Sequence, residues 1–227
     1  MSASAALVSG GLDSGALLAL LANRGPVHPV YIRAGLPWEE QELEALTAFT
    51  DALLERGIPL EPVVELSVGG DALYGDHWSM TGQVPEYDEP DEAVYLPGRN
   101  VILIGLAAVW CSNRGVNSIA IGTLDCNPFS DGNPEFFENY GRLLSGALNH
   151  PLVVEAPFRG MGKAELVRRY ADLPLGLTLT CMAPIAGVHC GACNKCRERR
   201  EAFDDAGVTD SATYAPQRDT GRGREVA

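Results

Sequence analysis

The sequence lacks the long hydrophobic runs and the basic leader that mark membrane and secreted proteins. None of its apolar runs reaches the ~18 residues that a membrane-spanning helix needs, and the opening residues MSASAALVSGGLDS contain no basic side chain. Basic residues are scarce throughout: 17 lysines and arginines face 30 acidic residues, and the net charge is −13. Such a balance repels phosphates. We therefore expect a soluble, cytoplasmic protein that binds neither membranes nor nucleic acids directly.

The acidic residues are concentrated in one part of the chain. Residues 39–92 hold 15 acidic side chains and a single basic one, Arg56, whereas the remainder is nearly neutral. A solubilising face is the simpler interpretation of this block. Steering of a cation or a basic partner is the alternative.

The chain is long and apolar enough for one domain, or one domain with a small appendage, since 46% of its 227 residues are hydrophobic. Apolar strands alternate with helical patterns about five times, which favours an α/β fold with a parallel sheet and helices on both faces. Residues 67–97 lack periodicity. Predicted strands are 5–8, 27–32, 60–66, 118–123 and 152–157; predicted helices are 15–23, 38–56, 101–115, 134–148, 163–170 and 195–206.

Local signals set several of these boundaries. Asn100 is expected to cap the helix over 101–115, with Gly115 at its end, and Pro134 is expected to open the next helix. The predicted domain organisation is an α/β domain over 1–175, a cysteine-rich segment over 176–207, and a polar, loosely ordered tail over 208–227.

A glycine- and serine-rich loop, Ser9-Gly10-Gly11-Leu12-Asp13-Ser14, lies between the first strand and the first helix. Open α/β sheets bind ligands at this position, and glycines, hydroxyls and a helix N-terminus together suit a phosphate. A Walker A motif is excluded, because the loop has no lysine. The simpler alternative is an ordinary turn in which Asp13 caps the helix.

Four of the six cysteines fall within sixteen residues, as Cys181-x8-Cys190-x2-Cys193-x2-Cys196. This spacing predicts a structural zinc site, with an iron–sulfur cluster as the competing interpretation. His189 is expected to be an exposed loop residue rather than a fifth ligand. Cys111 is expected in the core, and Cys126 near the substrate.

The loop SGGLDS resembles the signature of the PP-loop ATP pyrophosphatases, which grip the pyrophosphate of ATP. The wider set of motifs resembles the 7-cyano-7-deazaguanine synthase family of queuosine biosynthesis within that superfamily. The resemblance covers roughly residues 5–207. It is carried by SGGLDS (9–14), YLPGRN (95–100), IGT (121–123), NPEFFENYGRLL (133–144), GMGKAELV (160–167), TLTC (178–181) and HCGACNKCRERREAF (189–203).

The resemblance implies an ATP-dependent ligase. The carboxylate of 7-carboxy-7-deazaguanine is adenylated, ammonia forms an amide, and a second adenylation allows dehydration to the nitrile, with release of AMP and pyrophosphate. Mg²⁺, a zinc ion and a homodimer are implied as well. Nothing resembling a covalent nucleophile with an adjacent base stands out, so positioning and electrostatics are expected to carry the rate.

The resemblance also implies site residues. Adenine is expected against the backbone of residues 31–34, and four side chains are expected to be catalytic: Asp13, Ser14, Arg99 and Lys163. The predicted ATP-binding residues are Val8, Ser9, Gly10, Gly11, Leu12, Asp13, Ser14, Gly15, Ala16, Leu17 and Leu18. The predicted substrate-binding residues are Asp125, Asn133 and Glu135. The predicted zinc ligands are Cys181, Cys190, Cys193 and Cys196.

Two segments depart from the family pattern, residues 32–40 and residues 122–133. Because both are expected to contact the nucleotide or the deazapurine, a second interpretation stays open: a divergent PP-loop ligase that activates a related carboxylate or joins it to another amine. A tRNA-thiolating enzyme is disfavoured by the acidic block. A non-catalytic nucleotide-binding module is disfavoured by the intact loop together with Arg99 and Lys163.

Overall fold

The computed structural model describes residues 2–125 and 127–216, which form one parallel sheet flanked by helices. The strands are β1 Ser4–Val8, β2 Val27–Arg33, β3 Val64–Ser67, β4 Ser118–Ala120 and β5 Val153–Glu155. The helices are α1 Leu12–Ala22, α2 Glu39–Glu55, α3 Gly70–Tyr74, α4 Trp78–Thr81, α5 Arg99–Ser112, α6 Pro134–Leu148, α7 Lys163–Arg169 and α8 Asn194–Ala206, with 3₁₀ turns at Asp91–Val94, Ser130–Gly132 and Leu175–Leu177.

The five strands lie in the order β3-β2-β1-β4-β5 and are all parallel, which confirms the predicted fold class. Chain order reverses between β1 and β4, so a crevice opens beyond the carboxyl ends of these two strands. Val8, the last residue of β1, pairs with Tyr31 of β2. The phosphate-loop sequence therefore leaves the sheet beside the end of β2.

Both faces of the sheet are covered, because alternate residues of β1 enter different cores. Ala6 and Val8 pack with α1, α2, α7 and α8 in one core, which also contains Phe49. Ala5 and Leu7 pack with α5 and α6 in the other core. Cys111 is fully buried in this second core, as predicted.

The helices match the predicted ones closely, with one error of capping. Helix α5 starts at Arg99 after Gly98, whose φ is +67°, so Asn100 lies inside the first turn and does not cap it. The side-chain amide of Asn100 instead donates to the backbone carbonyl of Asp131 at 2.9 Å. Helix α6 does begin at Pro134, and Asn133 caps it by accepting from the Phe136 amide at 2.8 Å.

Two segments are more ordered than the sequence suggested. Residues 67–97 contain α3, α4 and a 3₁₀ turn rather than irregular chain alone. The chain just before residue 217 is packed rather than loose, because Tyr214 pairs with His189 in a parallel bridge and Ala215 is buried. Residues 217–227, the rest of the predicted tail, lie outside the described residues. Within the described part, no helix combines the length and apolar character that crossing a membrane requires.

Candidate active site and metal centre

A cavity of about 350 Å³ opens at the carboxyl ends of β1, β2 and β4, where the change of strand order places it. The loop after β1 forms its floor through Ser9, Gly11 and Asp13. The segments after β2 and β4 form two walls, and residues 78–100 form a third. Charged side chains from six parts of the chain converge here: Asp13, Glu42, Arg99, Asp131, Lys163, Lys195 and Glu198.

The phosphate loop is held in place by its own backbone and by α2. Gly10 has a φ of +71°, and a Cβ there would lie 2.3 Å from the carbonyl oxygen of Glu42, so only glycine fits this turn. The Ser14 hydroxyl donates to the Gly11 carbonyl at 3.0 Å and accepts from the Ser9 amide at 3.3 Å. Helix α1 starts at Leu12 with Gly11 as its N-cap, so Asp13 is not the cap.

A chain of four charged side chains crosses the cavity beside the loop. The Lys163 ammonium lies 3.2 Å from Asp13 Oδ2 and 2.5 Å from Glu198 Oε1. The second oxygen of Glu198 lies 2.5 Å from the Lys195 ammonium. Asp13 comes from α1, Lys163 from α7, and both Glu198 and Lys195 from α8. Three helices therefore meet at one alternating row of charges.

Burial and pairing fix the charge states in this row. Burial raises the pKa of Asp13, although Lys163 opposes that shift. Burial alone lowers the pKa of Lys163, but the Asp13 and Glu198 carboxylates outweigh it and raise this pKa above its usual value. Burial raises the pKa of Glu198, but Lys163 and Lys195 outweigh this effect and lower the pKa to about 2. Glu198 is thus held ionised beside two lysines, whereas for Asp13 burial outweighs the opposing effect of Lys163 on its pKa.

A second buried carboxyl group lies at the other side of the cavity. Glu42 accepts from the Tyr31 hydroxyl at 2.7 Å and from the Trp38 indole at 3.1 Å. Burial raises the pKa of Glu42 to about 7, although Arg99 and the two hydrogen bonds oppose the rise. Glu39 is buried too and accepts from the Ala34 amide. These two acids of the acidic block are buried rather than part of a solvated face, and Glu42 lines the cavity.

The four clustered cysteines lie together and form a candidate metal centre. Their sulfur atoms all lie within 4.8 Å of one another, with Cys190 and Cys196 3.8 Å apart and Cys181 and Cys193 4.0 Å apart. Backbone amides of Ala183 and Cys190 donate to the Cys181 sulfur at 3.3 and 3.2 Å, which favours its thiolate form. This donor set fits a single thiophilic ion.

The metal centre is tied to the phosphate loop by the chain that precedes it. The Leu179 amide, two residues before Cys181, donates to the Gly10 carbonyl at 2.9 Å. Arg199 of α8 is fully buried and holds Asp210 through two hydrogen bonds of 2.8 Å, with further bonds to Thr178. His189 is only 3% exposed and accepts from the Thr180 amide, so its prediction as an exposed residue was wrong.

The predicted ATP-binding residues divide into two groups. Six line the cavity: Val8, Ser9, Gly11, Leu12, Asp13 and Ser14. Gly10 lies behind the loop against α2, and the others point into the core as part of α1: Gly15, Ala16, Leu17 and Leu18. Arg99 and Lys163 both line the cavity.

The three predicted substrate-binding residues lie outside the described lining of the cavity. Asp125 and Glu135 are exposed, and the Asn133 side chain is engaged as the cap of α6. From the same stretch of chain Thr123, Asn127 and Asp131 line the cavity instead. Cys126, predicted near the substrate, lies outside the described residues.

Several charged residues that line the cavity were not predicted from the sequence, among them Glu42, Asp131, Lys195 and Glu198. Lys195 and Glu198 are three residues apart on α8 and flank Cys196, a spacing that puts them on one helix face. The i,i+3 spacing of the two residues could be read from the sequence. Which way this face of α8 points depends on how the four cysteines position the helix. Nothing in the sequence distinguishes Glu42 from the other acidic residues of 39–92.

Comparison with known proteins identifies the family of the chain. The model of the family described as queuosine biosynthesis protein QueC matches residues 3–207. A 7-cyano-7-deazaguanine synthase from Xanthomonas campestris pv. campestris is 35% identical over 224 residues, covering 92% of this chain and 96% of that protein. The synthase from Magnetococcus marinus is 32% identical over 221 residues, covering 92% and 95%.

Solved structures give weaker similarities. The predicted subunit of a tRNA methyltransferase from Methanocaldococcus jannaschii has a TM-score of 0.47 and 17% identity, covering 76% of this chain and 75% of that one. The U34-tRNA thiolase NcsA from Methanococcus maripaludis has a TM-score of 0.46 and 15% identity, covering 89% and 64%. The family model and the synthases, by contrast, span almost the whole chain, and the expected resemblance is confirmed. The chain belongs to the queuosine biosynthesis protein QueC family of enzymes.

Proposed function

We propose that the chain is an ATP-dependent ligase that converts the carboxylate of 7-carboxy-7-deazaguanine into the nitrile of 7-cyano-7-deazaguanine with ammonia. A carboxylate oxygen attacks the α-phosphorus of ATP and pyrophosphate leaves. Ammonia then attacks the acyl carbon and AMP leaves, which gives the amide. The amide oxygen attacks the α-phosphorus of a second ATP and a second pyrophosphate leaves; loss of this AMP, which takes the amide oxygen with it, and of two protons from nitrogen gives the nitrile.

The observation that carries the proposal is the convergence of the Ser9–Ser14 loop with cationic side chains in one cavity. Two buried polar atoms there have no hydrogen-bond partner among the described residues, Asp13 Oδ1 and Thr123 Oγ1. Buried polar atoms are normally paired, so these two are expected to meet a ligand. Thr123 follows β4 and Asp13 follows β1, on either side of the reversal in strand order.

The chain's own residues supply positioning and charge rather than a covalent intermediate. The amides of the loop and the N-terminus of α1 bind phosphate oxygens. Lys163 neutralises charge on the departing pyrophosphate. Arg99 lines the same cavity and forms no ion pair with residues 2–125 or 127–216, so its guanidinium is available to a phosphate or to the carboxylate.

Mg²⁺ fits beside Asp13. The unpaired Oδ1 of its carboxylate is the kind of hard oxygen that Mg²⁺ takes together with phosphate oxygens. The ion would screen the triphosphate and polarise the α-phosphorus. Asp13 would thus hold the ion while its other oxygen, Oδ2, stays on Lys163.

Zinc is the metal we propose for the cysteine cluster. Four sulfurs arranged tetrahedrally at ~2.3 Å around one zinc ion lie about 3.8 Å from one another. The sulfur separations of 3.8 and 4.0 Å match that arrangement. An iron–sulfur cluster places several metal and sulfide atoms between its cysteines and requires wider spacing. The coordination is closed, so the role is structural.

The walls of the cavity provide a site for two planar bases. Tyr31, Ile32 and Leu36, from the end of β2 and the chain that follows, line the part where adenine is expected. Trp38 and Trp78 stack with centroids 6.1 Å apart and both reach the cavity. Asn127 and Asp131 provide polar groups on the opposite wall for the deazapurine edge.

The placement of Asp125, Asn133 and Glu135 outside the cavity lining favours a second candidate. Under this alternative the chain adenylates a related carboxylate or joins it to a different amine. The two candidates share the ATP chemistry and differ only in the acid and the acceptor.

The deciding experiment supplies the purified protein with ATP, Mg²⁺, ammonia and 7-carboxy-7-deazaguanine, and identifies products by mass spectrometry. The first candidate predicts nitrile, with two AMP per nitrile. AMP formed only with another acid supports the second candidate, and no AMP with any candidate acid contradicts both. The homodimer and the cytoplasmic location stay predictions, the former open to light scattering.

A further inference from the structure

The chain contains only two lysines, Lys163 and Lys195, against 15 arginines. They are 32 positions apart in the sequence and come from different helices, α7 and α8. Both nevertheless bind the same carboxylate, each at 2.5 Å from one oxygen of Glu198. Both also line the cavity that holds the phosphate loop. Only Lys163 is accounted for by the function proposed above.

The stability of α8 gives only a weak reason for Lys195, namely its ion pair with Glu198 three residues later. Lys195 lies in the first turn of α8, where the helix dipole disfavours a cation. Its neighbour Cys196 points to the metal centre, whereas Lys195 and Glu198 are turned to the cavity. A residue that breaks a local rule at the edge of a site is expected to serve the site.

The charges of the row give the second argument. Asp13, Lys163 and Glu198 together carry one net negative charge, which would repel a triphosphate. Lys195 restores neutrality to the row. Lysine suits such a position, because its ammonium is a compact charge on a flexible stem that can turn from Glu198 to a phosphate oxygen.

We propose that Lys195 is a second phosphate-binding lysine of the site, supplied by the metal-binding segment, and that Glu198 is a positioning residue that holds both lysines at the cavity. The inference rests on the proposed use of ATP. It extends that function because the metal-binding segment would contribute a side chain to the nucleotide site, whereas the sequence predicted only a structural zinc site there.

Differential acetylation tests the proposal on the intact protein. The protein is treated with an acetylating reagent with and without ATP and Mg²⁺, and the acetylation of each lysine is measured by mass spectrometry. We expect ATP to protect Lys195 and adenosine to leave it reactive, whereas Lys163, nearly buried between Asp13 and Glu198, is expected to react little in either case. Calorimetry with ATP and Mg²⁺ tests the proposed function separately. ATP that binds without protecting Lys195 overturns the inference alone, and the absence of ATP binding contradicts the proposed function as well.

A pair of variants separates phosphate binding from structural support. Lys195→Met is expected to raise the KM for ATP about tenfold, the effect of one charge-assisted hydrogen bond. The KM for the carboxylate and the metal content should stay at wild-type values, and Lys195→Arg should restore most of the ATP affinity. An unchanged KM for ATP, or equal losses in Lys195→Met and Lys195→Arg, overturns the proposal.

Discussion

Asp13 is the side chain that we propose to hold the magnesium ion. One of its oxygens pairs with Lys163, whereas the other is buried without a partner. Asp13→Asn keeps the size but removes the charge that Mg²⁺ and Lys163 both need. We expect AMP formation to fall by at least about 100-fold, on the scale of a lost electrostatic group in an active site.

The matched comparison for this variant is Asp51→Asn, on an exposed residue of α2. It should leave AMP formation within about twofold, in the range of ordinary surface substitutions. Circular dichroism and thermal unfolding report whether each variant keeps its fold. If a folded Asp13→Asn protein forms AMP at the wild-type rate, Asp13 does not hold the ion.

Glu42 makes the stability of the protein depend on pH in a defined window. Its pKa rises from 4.5 in the unfolded chain to about 7 in the fold, chiefly through burial. Between these values the folded protein retains a proton that the unfolded chain releases. The free energy of unfolding therefore decreases as pH rises through this window, by about 3 kcal/mol in all, and the contribution is constant above it.

Glu42→Gln removes this titration and keeps the hydrogen bonds possible, since its oxygen can accept from Trp38 and its nitrogen can donate to Tyr31. Denaturant unfolding from pH 4.5 to 8 should show the variant gaining stability relative to wild type as pH rises. Glu40→Gln, on an exposed residue, should show no such trend. A difference between Glu42→Gln and wild type that is independent of pH would contradict the assignment.

Helix α8 is the element that joins the metal centre, the cavity and the end of the described chain. Its Arg199 has no exposed surface, and it holds Asp210 while its other nitrogens bond to the chain near Thr178. Loss of one partner in a buried ion pair leaves the other charge uncompensated. Arg199→Met should therefore lower the free energy of unfolding by about 3–5 kcal/mol.

Arg142→Met is the control for this change, because Arg142 pairs with Glu138 on the exposed side of α6. Its cost should stay below about 0.5 kcal/mol. Denaturant titration measures both variants, and limited proteolysis near Asp210 reports whether the chain after α8 detaches. Equal stability of the two variants would show that the Arg199 pair contributes nothing net.

The elements that could be predicted from sequence are those whose signals are local. Periodicity placed the long helices, and Pro134 and Gly115 marked a helix start and a helix stop that the structure confirms. Asn100 misled, because glycine at 98 takes the capping position and Asn100 bonds to Asp131, a residue distant in sequence. The chain just before residue 217 was predicted to be loose for the same reason: its partners, Arg199 for Asp210 and His189 for Tyr214, cannot be inferred from its own sequence.

The residues of the site, taken across the whole molecule, divide in the same way into those with a local sequence signal and those without one. The loop, lysine and cysteine motifs led to Asp13 and Lys163, which line the cavity, and to the four cysteines that lie together, because each lies in a short pattern with its own chemistry. Glu42 and Glu198 were not predicted, since their roles depend on burial and on partners from other helices. Composition treats all acids alike, and only packing separates a buried carboxylate from a solvated one.

The metal centre and the nucleotide site are expected to act as one unit of the molecule. The Leu179 amide, two residues before Cys181, donates a hydrogen bond to the phosphate loop. Helix α8, which contains Cys196, places Lys195 and Glu198 at the cavity. Without the ion, four neighbouring sulfurs lose the charge that holds them together. Cys193→Ser should therefore lose the metal, lower the thermal midpoint, and weaken ATP binding at temperatures where the sheet is still folded.

Cys111→Ala provides the comparison, because Cys111 is buried in the opposite core and away from the cluster. It should cost some stability while the metal content and the ATP affinity stay unchanged. Elemental analysis gives the metal per chain, and calorimetry with ATP and Mg²⁺ gives the affinity of each variant. A metal-free Cys193→Ser protein that binds ATP like wild type would show that the phosphate loop keeps its shape without the metal-binding segment, and that the hydrogen bond from Leu179 to Gly10 does not couple the two sites.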